Sequence, residues 1–409
     1  MRRVVITGFG ALSPLGHDWP SVSAHLRSSQ NAVRHMNEWD CYEGLNTRLG
    51  APAKPFELPA HFNRKTTRSM GRVALMSTRA SEIALADAGL LGDPLVSSGK
   101  MGISYGSSAG SPSAVGDFGR MITEKTTEGI TASTYIKMMA HTAPVNIGVF
   151  LGLTGRIITT SSACTSGSQG IGYAYESIKS GRQVAMLAGG AEELDATGAA
   201  VFDTLFATSV LNDTPKLAPR PFDAKRDGLV LGEGAGSLVL EDLEHAKLRG
   251  ARIHAEILGF GTNSDGRHVT QPQAETMAEA MRQALADAGL PPAAIGYVNA
   301  HGTATDQGDI AESTATRAVF GEQVPISSLK SYMGHTLGAC GALEAWMSIE
   351  MMRDGWFAPT LNLTQIDPRC ADLDYITGEG RSLQTDLLMS NNFAFGGINT
   401  SLIFKRWTD

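Results

Sequence analysis

Along much of the chain, strand-like and helix-like patterns of apolar residues alternate. Arg3–Thr7 is a β-branched run that predicts a buried first strand, and Arg156–Thr160 predicts another strand of the same kind. Across Gly167–Ile178, apolar residues recur at helical spacing, which predicts a helix. A run of small residues that contains Cys164 separates the second strand from this helix. The pattern therefore predicts a strand–turn–helix unit with a cysteine at the turn.

Cys164 lies where the helix is predicted to begin. Aligned peptide dipoles give a helix start partial positive charge, which favours a thiolate over a thiol. The unpaired N–H groups there can also hold a developing oxyanion. Two interpretations of this stretch stay open: Cys164 is a nucleophile, or it is a small buried hydrophobe, which is the common role of a single cysteine.

The heptapeptide ALADAGL occurs twice, at Ala84–Leu90 and at Ala284–Leu290. After the first copy comes a predicted strand that enters a Gly/Ser turn, at Met101–Gly110, and after the second comes one that enters a Gly/Thr turn, at Ile295–Thr305. Each half then has a helix start rich in small residues and a strand that ends in two glycines. The same order of parts twice predicts an internal duplication of βαβ-type units, with a mainly parallel sheet in each half.

The two halves are predicted to join near Gly250. We therefore divide the chain into residues 1–250, which carry the cysteine turn, and residues 251–409, with Ser111–Pro144 as inserted material in the longer first half. Two glycine clusters do not indicate nucleotide binding. The glycine spacing of a dinucleotide fingerprint fails in GFGALSPLG, and Gly232–Gly236 leads into a strand where a phosphate loop needs a helix.

Composition narrows the class of protein. The chain has 409 residues, of which 42% are apolar and 18% are charged, as expected for a globular protein with a large core. The net charge of −7 argues against broad nucleic-acid binding. The four cysteines lie far apart without a CxxC pair, which indicates neither a disulfide framework nor a zinc site and favours a reducing, cytoplasmic compartment. No apolar run reaches the ~18 residues that predict a membrane span.

A basic stretch is predicted to be helical over Asn63–Ala84. Arg64, Arg68 and Arg72 are four residues apart and would share one face, with Lys65 beside them. A solvated basic face is one interpretation of this pattern. A docking surface for an acidic partner is the other, because an acidic protein needs a local reversal of charge to bind one.

Two histidines lie in glycine-rich turns of the second half. His301 follows a predicted strand in AHGTAT, and His335 precedes a predicted helix in MGHTLG. Lys330 comes five residues before His335, and Glu344 comes nine residues after it. Catalytic side chains of α/β sheets gather at such strand ends, so we expect the two imidazoles to face the cysteine turn of the other half.

Several motifs, in one order over nearly the whole chain, carry a family resemblance: VVITGFGALSPLG, SSACTSG, RPFDAKRDGLVLGEGAG, AHGTAT, SLKSYMGHTLGACGALE and SNNFAFGGINTSL. The chain resembles the β-ketoacyl-acyl-carrier-protein synthases, the elongating condensing enzymes of bacterial type II fatty-acid synthesis, and within them the Cys-His-His branch. The resemblance implies the α/β thiolase fold, a five-layered αβαβα duplication, in an enzyme that is usually a homodimer. A heterodimer with a related ketosynthase is the alternative assembly.

The resemblance also implies catalytic roles. Cys164 would take the acyl group from a carrier-bound thioester, and the backbone N–H groups of Cys164 and Phe395 would form the oxyanion hole. Malonyl carrier protein would then lose CO2, and His301 and His335 would donate hydrogen bonds to the resulting enolate. Attack of the enolate on the Cys164 thioester would give a chain two carbons longer.

Around these groups the resemblance implies supporting residues. Lys330 and Glu344 would orient the histidines, with a purely structural salt bridge as the alternative. The binding residues would be Thr303 and Thr305 for the pantetheine arm, Phe202 and Ala109 for substrate, Arg64, Lys65 and Arg68 for the acidic carrier, and Asn299, Glu344 and Asn391 for a monovalent cation. The substrates would travel on the phosphopantetheine of an acyl carrier protein, and no other organic cofactor is expected.

The chain departs from the family pattern at three places. The C-terminal glycine loop reads AFGGIN where the family usually has GFGGTN, so Ala394 and Ile398 replace a glycine and a threonine. Ala109 replaces a bulky aliphatic residue at the end of the acyl tunnel, and Phe206 stands where a carrier-contacting arginine is common. We therefore expect a specialised relative from a polyene or polyketide pathway. Two other functions stay open: a non-catalytic partner subunit, and a thiolase-type acyltransferase or hydrolase.

Overall fold

The computed structural model describes residues 1–408. Its strands are β1 (Val4–Leu12), β2 (Arg34–His35), β3 (Leu49–Ala51), β4 (Met101–Gly106), β5 (Ile157–Thr159), β6 (Ala185–Glu192), β7 (Leu231–Gly232), β8 (Gly234–Asp242), β9 (Ala255–Ser264), β10 (Tyr297–Asn299), β11 (Pro325–Ser327), β12 (Trp356–Phe357), β13 (Asp374–Tyr375), β14 (Arg381–Ser382), β15 (Leu387–Ala394) and β16 (Ile398–Arg406).

Its α-helices are α1 (Trp19–Arg27), α2 (Arg64–Thr67), α3 (Arg72–Asp87), α4 (Pro112–Glu124), α5 (Ala132–Met138), α6 (Thr142–Leu151), α7 (Ser166–Lys179), α8 (Ala196–Asp203), α9 (Leu243–Leu248), α10 (Ala274–Ala288), α11 (Asp306–Phe320), α12 (Lys330–Met333) and α13 (Cys340–Asp354). Short 3-10 helices at Ala163–Thr165 and Leu337–Ala339 precede α7 and α13. Among residues 1–408, none of these helices has the length and apolar character that a bilayer crossing requires.

The main sheet has 11 strands in the order β13-β11-β10-β15-β16-β9-β1-β8-β6-β4-β5. The order β5-β4-β6-β8-β1 of the first half is repeated as β11-β10-β15-β16-β9 in the second, and the halves meet where β1 pairs antiparallel with β9. The topology therefore contains the internal duplication that the repeated sequence predicts. The division into residues 1–250 and 251–409 stays a prediction.

Helices cover both faces of each half-sheet. The three largest hydrophobic cores lie between α3 and the first half, around α7 and α13, and between α10 and the second half. Because α7 and α13 pack against each other between the halves, the layers run αβαβα. The helix starts that follow Cys164 and His335 therefore lie in the central layer.

The mainly parallel sheet expected for each half is wrong for the inner pairs, those nearest the junction of β1 and β9. β4 is parallel to β5 and β6, and β10 is parallel to β11 and β15, as βαβ units require. β6 pairs antiparallel with β8, and β15 pairs antiparallel with β16. β15 and β16 are joined by a short turn, and strands joined so directly have to run antiparallel.

The repeated heptapeptide lies where α3 and α10 cross the first strand of their own half. A Cβ atom on Gly10 of β1 would lie 2.0 Å from the carbonyl oxygen of Ala80 in α3. A Cβ atom on Gly261 of β9 would lie 2.0 Å from the carbonyl oxygen of Ala280 in α10. The glycines of GFGALSPLG therefore allow close packing of a helix on a strand, which agrees with the exclusion of a dinucleotide site.

The aspartate of each heptapeptide makes the same contact in both halves. Asp87 accepts a hydrogen bond from the backbone N–H of Phe9 at 2.9 Å, and Asp287 accepts one from that of Phe260 at 3.2 Å. The two copies of ALADAGL thus hold the same helix–strand crossing twice.

The single helix expected over Asn63–Ala84 is wrong, because the chain forms α2 and α3 with a break before Gly71. A Cβ atom on Gly71 would lie 1.9 Å from the hydroxyl of Ser111, so a close approach coincides with the break. Arg72 then begins α3 and pairs with the buried Glu233 at 2.5 Å, which removes it from the basic face.

We predict that Gly10→Ala and Gly261→Ala each destabilise the protein by about 1–3 kcal/mol, because the added methyl group overpacks a helix–strand contact. Gly116→Ala is the matched control, since Gly116 is exposed on α4 with no atom near its Cβ position and alanine there removes the helix cost of glycine. Thermal unfolding measures all three variants. A melting temperature of Gly10→Ala equal to that of Gly116→Ala would contradict the packing argument.

Candidate active site

The cysteine turn has a strained backbone. Ala163 has φ +51°, a left-handed conformation that costs a non-glycine residue of order 1–3 kcal/mol, and Leu337 begins the corresponding turn of the second half with φ +47°. Cys164 follows Ala163 and is buried at the start of the central helices. The two turns meet in the central layer, so each half contributes its own side chains to one site.

The sulfur of Cys164 faces both predicted histidines. Its Sγ atom lies 2.9 Å from Nε2 of His335, and Sγ and a ring nitrogen of each of His301 and His335 all lie within 4.8 Å of one another. The backbone N–H groups of Phe395 and Cys164 lie close enough to the sulfur to lower the pKa of its thiol. The structure therefore brings together the nucleophile, both imidazoles and both expected oxyanion donors.

His335 is held neutral with its proton on Nε2. The backbone N–H of Leu337 donates to Nδ1 at 3.3 Å, which assigns the remaining proton to the nitrogen that faces Cys164. Burial, and then the charge of Lys330, lower the pKa of His335 well below its usual range. The ring is therefore a hydrogen-bond donor at neutral pH.

His301 has the same character. Its Nδ1 lies 3.5 Å from the side-chain nitrogen of Asn392, so Nε2 again carries the proton. Burial and the charge of Lys330 lower the pKa of His301 well below its usual range. The turn is fixed by Glu312, which accepts hydrogen bonds from the N–H groups of His301 and Gly302, each at 2.7 Å.

Lys330 and Glu344 form a fully buried ion pair beside the histidines. Burial acts to lower the pKa of Lys330, but its acidic neighbours together, with Glu344 first among them, outweigh burial and raise the pKa, so the ammonium form persists. Asn392 connects the pair to the site, because its amide donates to Glu344 at 2.8 Å and reaches His301. Sequence reasoning missed Asn392, although it lies in the NNFAFGG motif.

The expectation that the helix start alone makes Cys164 a thiolate is wrong for the resting site. Burial raises the pKa of Cys164 to about 12, against the opposing effects of Lys330 and of the N–H groups of Phe395 and Cys164. The loss of hydration destabilises the thiolate by more than Lys330 and the two N–H groups stabilise it. The proton therefore has to leave as the substrate reacts.

A second buried cysteine supports the turn. The thiol of Cys340 donates to the backbone oxygen of Cys164 at 3.2 Å, and the amide of Asn392 reaches its sulfur at 3.6 Å. Burial raises the pKa of Cys340 well above its usual range, which keeps this donor protonated. The sequence offered only an isolated cysteine in GACGALE as a signal.

A cavity of about 270 Å³ leads from the surface to Cys164. Phe202, Thr303 and Thr305 line it as expected, and the ring of Phe202 lies 5.0 Å from that of Phe395. Ala109 does not line this cavity in the single chain. It is exposed on the loop after β4, and that loop is held by Glu192.

The basic residues lie apart from the cavity. Arg64, Lys65 and Arg68 are exposed on α2 and at its end, and within residues 1–408 none of them has an acidic partner. These three side chains thus form a positively charged patch on a protein whose net charge is negative.

The residues expected to hold a monovalent cation offer oxygen atoms. The side-chain oxygens of Asn299 and Asn391 are buried without a hydrogen-bond partner, and the Glu344 carboxylate is buried as well. Unpaired buried oxygens are ligands that hard cations prefer, so this set fits such an ion.

Comparisons with known proteins agree with this geometry. The family model described as Beta-ketoacyl synthase, N-terminal domain, matches residues 1–246, and the one described as Beta-ketoacyl synthase, C-terminal domain, matches residues 254–364. A curated 3-oxoacyl-(acyl-carrier-protein) synthase 2 from Vibrio cholerae is 38% identical over 417 residues, which cover 99% of each chain.

Two solved structures cover all of this chain and are themselves covered completely. One is a beta-ketoacyl synthase from Burkholderia phymatum, with 62% identity and a TM-score of 0.99. The other is the ishigamide ketosynthase/chain length factor, with 31% identity and a TM-score of 0.88. With two family models over most of its length and a relative matched end to end, this chain belongs to the β-ketoacyl synthase family, whose thiolase fold it shares.

Proposed function

We propose that the chain is an elongating 3-oxoacyl-(acyl-carrier-protein) synthase, an acyltransferase that extends an acyl chain by two carbons from a malonyl thioester. One observation carries this proposal: a buried thiol and two neutral imidazole N–H donors lie within 4.8 Å of one another at the end of one cavity. The complete set disfavours a non-catalytic subunit. The glycine loop NNFAFGGIN contains no cysteine, which disfavours a thiolase.

In the first half-reaction, Cys164 takes the acyl group. Its sulfur attacks the thioester carbonyl, and the oxyanion accepts hydrogen bonds from the N–H groups of Cys164 and Phe395. The bond to the pantetheine sulfur then breaks, and the thiol proton ends on that leaving sulfur. Both N–H groups already lower the pKa of the Cys164 thiol in the resting site, which supports these roles.

In the second half-reaction, malonyl thioester loses CO2. The electron pair of the broken carbon–carbon bond forms an enolate, whose oxygen accepts hydrogen bonds from Nε2–H of His301 and His335. The enolate carbon attacks the acyl carbonyl on Cys164, and the carbon–sulfur bond breaks. The sulfur anion that remains lies 2.9 Å from Nε2 of His335, which stabilises it until water protonates it.

Lys330 and Glu344 act as positioning residues in this mechanism. The Lys330 charge disfavours a second proton on either imidazole, and Glu344 keeps Lys330 charged while it holds Asn392. A cation on the oxygens of Asn299 and Asn391, beside Glu344, would stabilise these loops and take no part in bond changes.

Substrates arrive on the phosphopantetheine of an acyl carrier protein, and no separate organic cofactor is needed. Thr303 and Thr305, which line the cavity, would bind the pantetheine arm. The unpaired cations Arg64, Lys65 and Arg68 would dock an acidic carrier, because they reverse the local charge. The spread cysteines and the absence of a membrane-spanning helix among residues 1–408 support a cytoplasmic location.

A second copy of a related chain would complete the enzyme. β5 is the open edge of the sheet, and Ile157 on it is 47% exposed. Helices α4 to α6 beside it expose several apolar side chains, namely Val115, Ile122, Tyr135 and Val149. The unpaired backbone groups of such an edge strand can form hydrogen bonds with a strand of another sheet. A homodimer is the simplest assembly, and the ishigamide ketosynthase/chain length factor supports a pair of related chains as the alternative.

This assembly would cover Ala109 and leave a small side chain at the end of the acyl site. A small residue there makes room for a long or stiff chain, which supports a specialised polyene or polyketide role. We predict faster condensation with conjugated polyenoyl primers than with saturated ones of equal length, and shorter products from Ala109→Leu. Mass spectrometry of products from a primer panel decides this; no gain with polyenoyl primers contradicts the specialised role.

We predict that His301→Asn separates the half-reactions. Loss of one enolate donor lowers malonyl-dependent CO2 release by about 100-fold or more, while acylation of Cys164 changes only a few-fold. Carbon dioxide release and the mass of the acyl-enzyme measure the two steps. His268→Asn, at an exposed histidine of the cavity opening, is the matched control. An equal fall in both steps would place His301 outside the enolate site.

A third prediction concerns the ion pair. Lys330→Met leaves Glu344 buried and unpaired, so unfolding free energy falls by about 3–5 kcal/mol. Lys330→Met with Glu344→Leu removes both charges and restores much of that stability. Denaturant unfolding and CO2 release are measured together. If the ion pair positions the histidines, the double variant folds but stays impaired in decarboxylation. A double variant that is stable and fully active would show that the salt bridge is purely structural.

A further inference from the structure

A buried carboxylate outside the catalytic set joins two segments of the site. Glu192 is the last residue of β6 and is 2% exposed. It accepts hydrogen bonds from the backbone N–H of Ser108 at 2.8 Å and from that of Ala109 at 3.4 Å, both in the loop after β4. It also accepts one from the backbone N–H of Gly338 at 3.0 Å. Glu192 therefore connects the loop after β4 to the turn that follows His335.

Residues 107–109, here called the Ala109 loop, also bind Glu192 through their side chains. The hydroxyl of Ser107 donates to the carboxylate at 2.9 Å, and the hydroxyl of Ser108 donates to it as well. Burial raises the pKa of Glu192, and these donors oppose that effect. Backbone N–H groups reach both oxygens of the side chain, which favours the ionised form because a carboxylate only accepts.

The backbone around Glu192 is closely packed. A Cβ atom on Gly338 would lie 2.8 Å from the Glu192 carboxylate and 3.1 Å from the Cα atom of Ser107. A Cβ atom on Gly190 of β6 would lie 2.0 Å from the backbone oxygen of Gly338. The Ala109 loop, the end of β6 and the turn before α13 thus approach one another closely, and glycines permit the approach.

The Glu192 carboxylate also acts on the nucleophile through its charge. It raises the pKa of Cys164, whereas the charge of Lys330 lowers that pKa. Because Coulomb interactions fall with distance, the carboxylate lies near the sulfur as well as against the Ala109 loop. Glu192 is therefore placed between the point where an acyl chain is attached and the loop at which the chain is expected to end.

We propose that Glu192 is a specificity-determining residue of the condensation: by holding the Ala109 loop against the turn at Gly338, it limits the length of the acyl chain that the site accepts. The proposal rests on the proposed function, because that function places the end of the acyl chain at Ala109. Glu192 acts through the loop, so it is a positioning residue. Hydrogen bonds from behind fix the boundary of a binding site in this way.

Two substitutions separate the charge of Glu192 from its reach. Glu192→Gln keeps the length of the side chain, but its amide nitrogen is a donor, so one end can no longer accept from a backbone N–H. Glu192→Asp keeps the charge but is one methylene group shorter, so it cannot hold both the Ala109 loop and Gly338.

Glu193→Gln is the matched control. Glu193 is the next residue along the chain, and its carboxylate is also partly buried. It accepts hydrogen bonds from the backbone N–H of Val73 and from the hydroxyl of Ser111, each at 2.9 Å. The same chemical change is thus made beside Glu192, on a side chain that holds different groups.

The products formed from malonyl carrier protein and a short acyl primer are measured by mass spectrometry. Both Glu192 variants are expected to give a wider range of products, with the most abundant one longer by one or more extension steps, because the Ala109 loop is released. Glu193→Gln keeps the wild-type products. A purely structural Glu192 would lower the melting temperature and the rate but leave the product lengths unchanged.

Iodoacetamide labelling of Cys164 against pH gives a second readout. Glu192→Gln removes a charge that raises the pKa of Cys164, so its labelling profile is expected to move to lower pH. Glu192→Asp and Glu193→Gln keep the wild-type profile. A wild-type profile in Glu192→Gln would contradict an ionised carboxylate close to the sulfur.

Ser108→Ala keeps the test decisive if the Glu192 variants do not fold. Ser108 is half-buried, and the substitution removes its hydroxyl donor while its backbone N–H can still bind Glu192. The variant is expected to melt close to wild type and to change the product lengths in the same direction, by a smaller amount.

Products of wild-type or shorter length from the folded Glu192 variants would overturn the proposal. If neither variant folds, the same result from Ser108→Ala would overturn it. Condensation by the wild-type enzyme is measured first. Its absence would count against the proposed function, whereas normal wild-type condensation with unchanged product lengths in the variants would remove only the role of Glu192.

Discussion

The buried Lys330 ammonium is the charge on which the site depends. It lies close enough to lower the pKa of Cys164, His301 and His335 at once. Burial raises the pKa of the thiol and lowers the pKa of both imidazoles, whereas the Lys330 charge lowers all three. The same cation therefore makes the sulfur easier to ionise and the rings harder to protonate. Glu344 keeps that cation charged in the protein interior.

The duplicated fold explains how these groups meet. Each half has a strained turn that leads into a helix of the central layer: Ala163 follows β5 and precedes α7, and Leu337 follows α12 and precedes α13. Because α7 and α13 pack against each other, the cysteine of one half and the histidines of the other face one space. Glycines such as Gly10 and Gly261 keep the outer helices close enough to fix both half-sheets.

Much of this arrangement could be predicted from sequence. Motif order and strand ends predicted the fold, and they predicted that Cys164, His301 and His335 come together. Asn392 and Cys340 could not be found in this way, because neither has a charge pattern or a spacing that marks its partners. The protonated state of Cys164 was also missed, since a helix start is visible in a sequence but the loss of water around a sulfur is not. Ala109 shows a further limit: sequence motifs predicted that it would contact substrate, but in the single chain it is exposed and does not line the cavity.

The central claim is that two neutral imidazoles, each with its proton on Nε2, face the nucleophile. Nitrogen-15 NMR of histidine-labelled protein tests it most directly, with His301→Asn and His335→Asn spectra as assignments. The account predicts that both rings keep the shifts of the neutral Nε2–H form from pH 8 down through pH 6, because burial and Lys330 hold both pKa values well below the usual 6.5. A ring that titrates near 6.5, or one that carries its proton on Nδ1, would contradict it.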